Sequence, residues 1–291
     1  MTRVSAWEIT NGHGVGNDKV YGVGMATQLD QILAKTTLGV TERRAATDRA
    51  ALERNAADHH PRGFAANLRK ISEMRPAVIA ELKKASPSKG VIRASFDAAE
   101  LARGLEAAGA GALSVLTDEP FFQGSLRNLE IASGVTTIPC LRKDFMVDPF
   151  QVLEARASHA DAILLIVAAL TDAQLQTLSR EAYAFGLDVL CEVHDREELD
   201  RAVQIGCQLI GVNSRDLRTF VMHPEIQMEL VASIPESVVR VAESGIRGRE
   251  DIDRLAAAGY DAFLIGETLM READPGAALG RLLGRVAVVG A

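Results

Sequence analysis

Glu81 and Lys83 lie two positions apart at the close of an apolar run, within AVIAELKKASPSKG over residues 77–90. In a strand, residues i and i+2 share a face. A carboxylate and an ammonium therefore look the same way just before Ser86-Pro87-Ser88 breaks the run. The pattern returns along the chain. Lys143 closes IPCLRK, with Phe145 two further on, and Glu192 closes LDVLCEV, with His194 on the same parity. Asn213 and Arg215 follow LIGV, and Glu243 closes VVRVAE. One charged strand end is ordinary, since the chain meets water there. Five strands carrying acid, ammonium, amide or guanidinium at the same end are not, because an inward charge costs several kcal/mol to desolvate unless paired. Such a ring is expected around a reaction site.

The elements that must position this ring are short runs rich in Val, Ile and Leu. They cover 77–82, 112–117, 138–143, 162–167, 187–193, 209–212, 238–243 and 262–266, eight in all. Between them apolar residues recur at helical spacing, as at Leu101, Leu105 and Ala108, and Gly109, Gly186 and Gly259 punctuate helix ends. Strands apolar on both faces and alternating with helices predict a parallel sheet covered on both sides. Eight repeats favour an α/β fold of the closed (β/α)8 TIM-barrel type over an open doubly wound sheet. Active sites of such barrels lie at the C-terminal strand ends, where the charges fall. Ahead of the first strand, Leu29, Ile32, Leu33 and Val40 share one helical face. This predicts an N-terminal helical extension over about 25–75 that caps one end of the barrel, although Thr36, Thr37 and Gly39 lower its propensity. The expected organisation is a flexible, Gly-rich extension over 1–24, without the apolar core of a signal peptide, and one barrel domain over 25–291.

After the seventh and eighth runs come ESGIRGREDI and IGETLM, in which Gly245 and Gly266 precede expected helices. Backbone N–H groups at helix starts hold anions, and the loops after strands seven and eight are the frequent phosphate site of barrels. Ser86, Ser88 and Ser244 could add hydroxyl donors. The net charge of −7 and pI near 5.5 argue against nucleic acid, so local cations must hold any anionic substrate. No apolar run approaches the roughly 20 residues that cross a bilayer. Cys140, Cys191 and Cys207 are too few and too scattered for a disulfide framework or a zinc site. All three are expected as free, buried thiols in a reducing cytoplasm, Cys191 facing outward.

The blocks IAELKKASPSKG, LRKDF, CEVH, GVNSRDL, AESGI and FLIGETLM, in this order, resemble the indole-3-glycerol-phosphate synthase family. The likeness runs from about Met25 to near the C-terminus, and the ELKKASPSKG and NSRDL blocks are the specific ones; it implies that the N-terminal helical extension caps the catalytic end. It implies ring closure, decarboxylation and dehydration of 1-(2-carboxyphenylamino)-1-deoxyribulose 5-phosphate to indole-3-glycerol phosphate, with no cofactor and no metal. Ring closure needs an acid for the ketone oxygen and a cation for the benzoate carboxylate. Dehydration needs an acid for the departing hydroxyl and a base for the ring proton.

By this resemblance Lys143 is the main acid, Lys83 lies close to the reacting centre, and the division of work between the two lysines stays open. Glu192 is the base, Glu81 positions the lysines, and Glu243 and Asn213 orient the substrate. Arg215 lies toward the carboxylate. Ser86, Gly245, Gly266 and the backbone of Glu267 take the phosphate, with Ser244 beside them. Phe122, Phe145, Leu164 and Leu217 pack on the aromatic ring; taken singly, each would be ordinary core. Some relatives carry Ser at position 267, so the Glu267 side chain must turn its charge away. His194 has no assigned role. The expected partner is a small phosphorylated molecule, with neither nucleic acid nor membrane, and a monomer is expected, weak self-association being the alternative. Other phosphosugar barrels are rivals. Their isomerases lack lysines on strands one and three, Schiff-base aldolases carry theirs on strand six, where Asn213 stands, and a non-catalytic binder would have lost part of the Lys143–Glu192–Glu81 set.

Overall fold

Eight parallel strands close into a barrel in the computed structural model, which describes residues 26–285. They are β1 (Ala77–Leu82), β2 (Ala112–Leu116), β3 (Cys140–Lys143), β4 (Ala162–Ile166), β5 (Asp188–Val193), β6 (Leu209–Asn213), β7 (Val239–Glu243) and β8 (Ala262–Ile265), with β8 pairing back onto β1. Each expected strand is present, its ends shifted by at most two residues. The expected extension over 1–24 lies outside the described residues. Among those described, no helix is long and apolar enough to cross a membrane.

Strand parity sorts the core into two layers. Ala77, Ile79, Leu141, Leu164, Leu190, Leu209, Val241 and Leu264 fill the barrel interior, while Val78, Ala80, Val115, Val189 and Ile210 face the surrounding helices. The inner layer is closed at the N-terminal end by Phe64 and Leu68, fully buried on α3 (Phe64–Ser72). At the opposite end that layer gives way to charge.

The chain reaches those two ends through its first three helices. α1 (Gln28–Ala46) starts at a capping box between Thr27 and Asp30 and runs unbroken through Thr36, Thr37 and Gly39. Tertiary packing overrides the low local propensity. Leu29 and Ile32 bury into the inner core beside Leu217 and Phe220, which places α1 at the C-terminal ends of the strands. Arg43 and Arg44 pin its last turn to Glu154 at 2.8 Å and Asp148 at 2.9 Å, both on or capping α7 (Pro149–Ala157). α2 (Arg49–Asp58) then descends along α7, and α3 plugs the far end.

The cysteine expectation needs one correction. Cys191 faces outward as parity requires, but it is bonded to Cys207, and only Cys140 is a free, buried thiol. The reason is topological. Residue 207 follows α9 (Arg196–Gln204), the helix that returns the chain from β5 to the neighbouring β6. One βα unit, 16 residues, therefore brings the two side chains together in the helix-facing layer without any wider disulfide framework.

Candidate active site

The charges at the C-terminal strand ends converge on a cavity of about 520 Å³, a size suited to a small ligand. Glu81, Lys143, Glu192, Asn213 and Glu243 reach it from strands β1, β3, β5, β6 and β7, and Lys83 from the residue after β1. Lys143 is the hub. Its Nζ donates to Glu192 Oε2 at 2.6 Å and to Glu243 Oε2 at 3.3 Å. Lys83 Nζ meets Glu81 Oε1 at 2.6 Å, making a second pair across the cavity floor. Asn213 is held by its side-chain oxygen, which accepts the Arg215 backbone N–H at 3.0 Å.

Burial sets the electrostatics, and pairing decides its sign. It opposes charge on Lys143, but Glu192, Glu243 and Glu81 outweigh it and raise the lysine above its ordinary value. Burial likewise works against a charged Glu192, yet Lys143 and His194 hold that carboxyl well below the usual carboxylate range. Glu243 is left with the penalty. Burial, with the Glu192 charge adding to it and Lys143 opposing, pushes it up to about 8. Its Oε1 is buried without a hydrogen-bond partner. Two neighbouring carboxyls driven apart in acidity around one ammonium are a usual way to obtain an acid and a base at neutral pH.

All the remaining expected site residues line the same cavity. Phe122, Phe145, Leu164 and Leu217 form an apolar wall, the two phenylalanine rings 6.2 Å apart. Ser86 sits in a two-residue ladder with Gly90 in the loop after β1. Ser244 and Gly245 follow β7 with φ of 66° and 75°, a left-handed bend that is costly for serine. The bend does not lead directly into a helix, as the sequence had suggested: Gly248 is the N-cap of α11 (Arg249–Ala258). Gly266 does directly cap a helix, α12 (Glu267–Met270). The Glu267 carboxylate pairs with Arg271 at 2.9 Å and lies 3.7 Å from Arg215. Lys89, Arg247 and Arg271 add cations to the mouth. Among the described residues, no group of three or more His, Cys, Asp or Glu side chains could hold a metal ion.

Two glycines carry more than their sequence suggested. A Cβ on Gly266 would overlap Glu81 Oε1 and approach its Cδ to 2.9 Å, so this glycine also makes room for Glu81. Gly211, on the inward parity of β6, had not been singled out. A Cβ there would overlap Glu243 Oε1 and reach its Cδ at 3.0 Å. Gly211 pairs with Glu192 on one side and Val241 on the other. The missing side chain is the space through which Glu243 reaches Lys143. The available signal was an inward glycine two residues before Asn213, within a strand where glycine costs stability.

The sequence profile described as indole-3-glycerol phosphate synthase matches residues 29–282. The chain belongs to the indole-3-glycerol phosphate synthase family. A family member from Koribacter versatilis is 57% identical over 260 residues, 89% of this chain and 100% of that one. A second, from Burkholderia vietnamiensis, is 48% identical over 259 residues, covering 89% and 99%. Both are named indole-3-glycerol phosphate synthase. Among solved structures, thiamine phosphate pyrophosphorylase from Pyrococcus furiosus superposes with a TM-score of 0.55 at 19% identity, covering 76% of this chain and 100% of that one. That likeness is one of fold, the TIM barrel.

Proposed function

We propose that the chain converts 1-(2-carboxyphenylamino)-1-deoxyribulose 5-phosphate to indole-3-glycerol phosphate, as a carboxy-lyase of the family to which it belongs. The observation that carries the reading is the Lys143 ammonium held between Glu192 and Glu243, with a second lysine pair, Lys83–Glu81, in the same apolar-walled cavity.

The substrate's aromatic ring lies against Phe122, Phe145, Leu164 and Leu217, and its benzoate carboxylate faces Lys83 and Arg215. Ser86, Ser244, Gly245, Gly266 and the Glu267 backbone receive the phosphate. The left-handed bend at Ser244–Gly245 and the start of α12 support this placement. Lys143 gives a proton to the ketone oxygen as the ring closes. Lys83 and Arg215 lose their anionic partner when the carboxylate leaves as CO2. Glu192, low in proton affinity while Lys143 is charged, gains basicity once Lys143 has given its proton, and then takes the ring proton during dehydration. Glu81 holds Lys83, and Glu243 and Asn213 orient the sugar hydroxyls. This chemistry uses no cofactor. The cytoplasm and a monomeric state belong to the same reading.

Mixing the protein with the anilino-deoxyribulose phosphate should produce indole fluorescence, and inorganic phosphate should compete weakly with substrate. Absence of product under conditions where the substrate is intact would end this reading.

A further inference from the structure

His194 is not used by the mechanism above, yet it touches the base. It follows β5 directly, and its side chain is 12% exposed. Nε2 lies 3.4 Å from Glu192 Oε1, the oxygen that does not meet Lys143, and Nδ1 lies 3.0 Å from Glu198 Oε2 on α9. The Glu198 carboxylate also accepts the His194 backbone N–H at 2.8 Å, so the ring is anchored from the α9 side. The Nε2 contact is looser, and no aligned hydrogen bond is made there. The result is a line of contacts, Lys143–Glu192–His194–Glu198, with one loose joint at Nε2, that begins in the catalytic cavity and leaves it.

It leaves into a second cavity of about 260 Å³. This one is roofed by Leu29 of α1 and floored by the loop after β6, and it shares Asn213 and Leu217 with the first. The groups facing His194 are Glu192 from β5, Asp195 and Glu198 from the start of α9, and Asp216, Arg218 and His223 from the loop after β6. Burial opposes charge on the ring, but Glu192 and Glu198 outweigh it and push it up to about 10.

The proton balance of the proposed reaction gives this line something to do. The substrate carboxylate enters as an anion and departs as neutral CO2. The ketone oxygen collects two protons before it leaves as water, and one proton returns from the ring through Glu192. Each turnover therefore consumes one proton from solvent, while substrate fills the catalytic cavity.

We propose that His194 is the route by which the buried Glu192–Lys143 pair takes up that proton, from the second cavity and through Glu192. This inference rests on the functional reading above. After Lys143 has given its first proton, the His194 imidazolium protonates the Glu192 carboxylate, and the carboxyl, once turned, passes that proton to Lys143, which leaves Glu192 ionised to take the ring proton; neutral His194 then takes up the net proton from solvent through the second cavity. His194 is a positioning residue in this scheme, since it reaches the substrate only through Glu192.

The test begins with wild-type turnover, because an inactive wild type would overturn the functional reading and not the route. With active wild type, His194→Ala should lose at least about tenfold in kcat, below the usual range for a direct general acid, with KM within about twofold. Added imidazole should restore kcat in a saturable way, more so for substituted imidazoles of higher basicity, and should leave wild type unaffected. A folded His194→Ala variant with kcat within twofold of wild type, or a loss that imidazole does not relieve, overturns the proposal. Glu198→Gln provides a second reading that preserves the anchoring acceptor. It should move the alkaline limb of the kcat–pH profile down by at least about one unit, and an unmoved limb would equally overturn the route.

Discussion

At the N-terminal end of the barrel, Asp161 is fully buried and both its oxygens are answered. Arg62 meets it through the guanidinium at 2.5 Å and through its backbone N–H at 2.7 Å, the Cys140 N–H donates at 2.6 Å, and His59 lies at 3.2 Å. Burial opposes its charge, but His59 and Arg62 outweigh it and hold the carboxyl below its ordinary value. At the C-terminal end Glu243 is as deeply buried, shares one ammonium with Glu192, and has an oxygen with no partner. The same problem, a carboxyl in a protein interior, is closed at one end and left open at the other. A satisfied buried charge fixes the chain, here the α2–α3 connection on the barrel floor. An unsatisfied one stores a preference that a ligand or a proton can relieve. The contrast predicts opposite consequences for mutation at the two ends.

The largest effect is expected at the hub. Lys143→Met keeps similar bulk and removes the proton donor; kcat should fall at least about a hundredfold, within the usual range for general acid catalysis, with substrate left untouched and not merely stalled. Circular dichroism and single-turnover product analysis would check both halves. Full activity would shift the acid role to Lys83. At the other end Asp161→Asn should do the reverse. It leaves Arg62 without its counter-charge and should cost about 3 kcal/mol of stability, the low end for a broken buried pair, or roughly 6–12 °C in Tm. Its kcat should stay within twofold of wild type. If Asp161→Asn lost activity in step with Lys143→Met, the division between a structural and a chemical end would fail.

A smaller effect tests the space behind Glu243. Gly211→Ala adds one methyl where the carboxylate now sits, so Glu243 must retreat from Lys143. A kcat loss of about tenfold, about 1.4 kcal/mol in the barrier, is expected with little change in KM. Gly248→Ala, where a Cβ would meet nothing within 4 Å, is the control. Equal kinetics in the two variants would show that Glu243 does not depend on that gap.

Much of this contrast was legible before the fold was known. Parity alone put Glu81, Lys143, Glu192 and Glu243 on one face because a strand's side-chain period is two, and eight apolar runs left few architectures. What parity cannot express is who occupies the space beside a residue. Gly211 reads as a silent position until β5 and β7 are placed on either side of it. Cys191 was correctly turned outward, but its bond to Cys207 depends on how α9 returns to β6, which local pattern does not encode. The Asp161 clamp was invisible for the same reason: Arg62 and Asp161 are 99 residues apart and meet only when α3 plugs the floor. α1 erred in the other direction. Its threonines and Gly39 lowered its local propensity, while the burial of Ile32 and the Arg43 and Arg44 ion pairs sustain it.

The subtlest expected difference between the ends lies in how stability follows pH. Glu243, pushed up to about 8, and His194, pushed up to about 10, both bind a proton more tightly in the folded chain than in the unfolded one. Their favourable protonated states are fully present below the unfolded values, near 4.5 and 6.5, and are lost as pH rises toward the folded ones. Asp161 has the opposite sign: its contribution is present above 3.8 and is lost only as pH falls through its lower folded value. Of these three groups, only Glu243 and His194 should therefore make the protein less stable as pH rises between 6.5 and 7.5. Each group contributes at most one proton of difference, about 1.4 kcal/mol per pH unit. Glu243→Gln removes one of the two and should flatten the slope of urea-unfolding free energy against pH by about 1 kcal/mol over that interval. Asp161→Asn should lower the whole curve there without altering its slope, and should lose its disadvantage only in acid. A slope in Glu243→Gln identical to wild type would mean that Glu243 is ionised throughout, and the open carboxyl would then be as settled as the closed one.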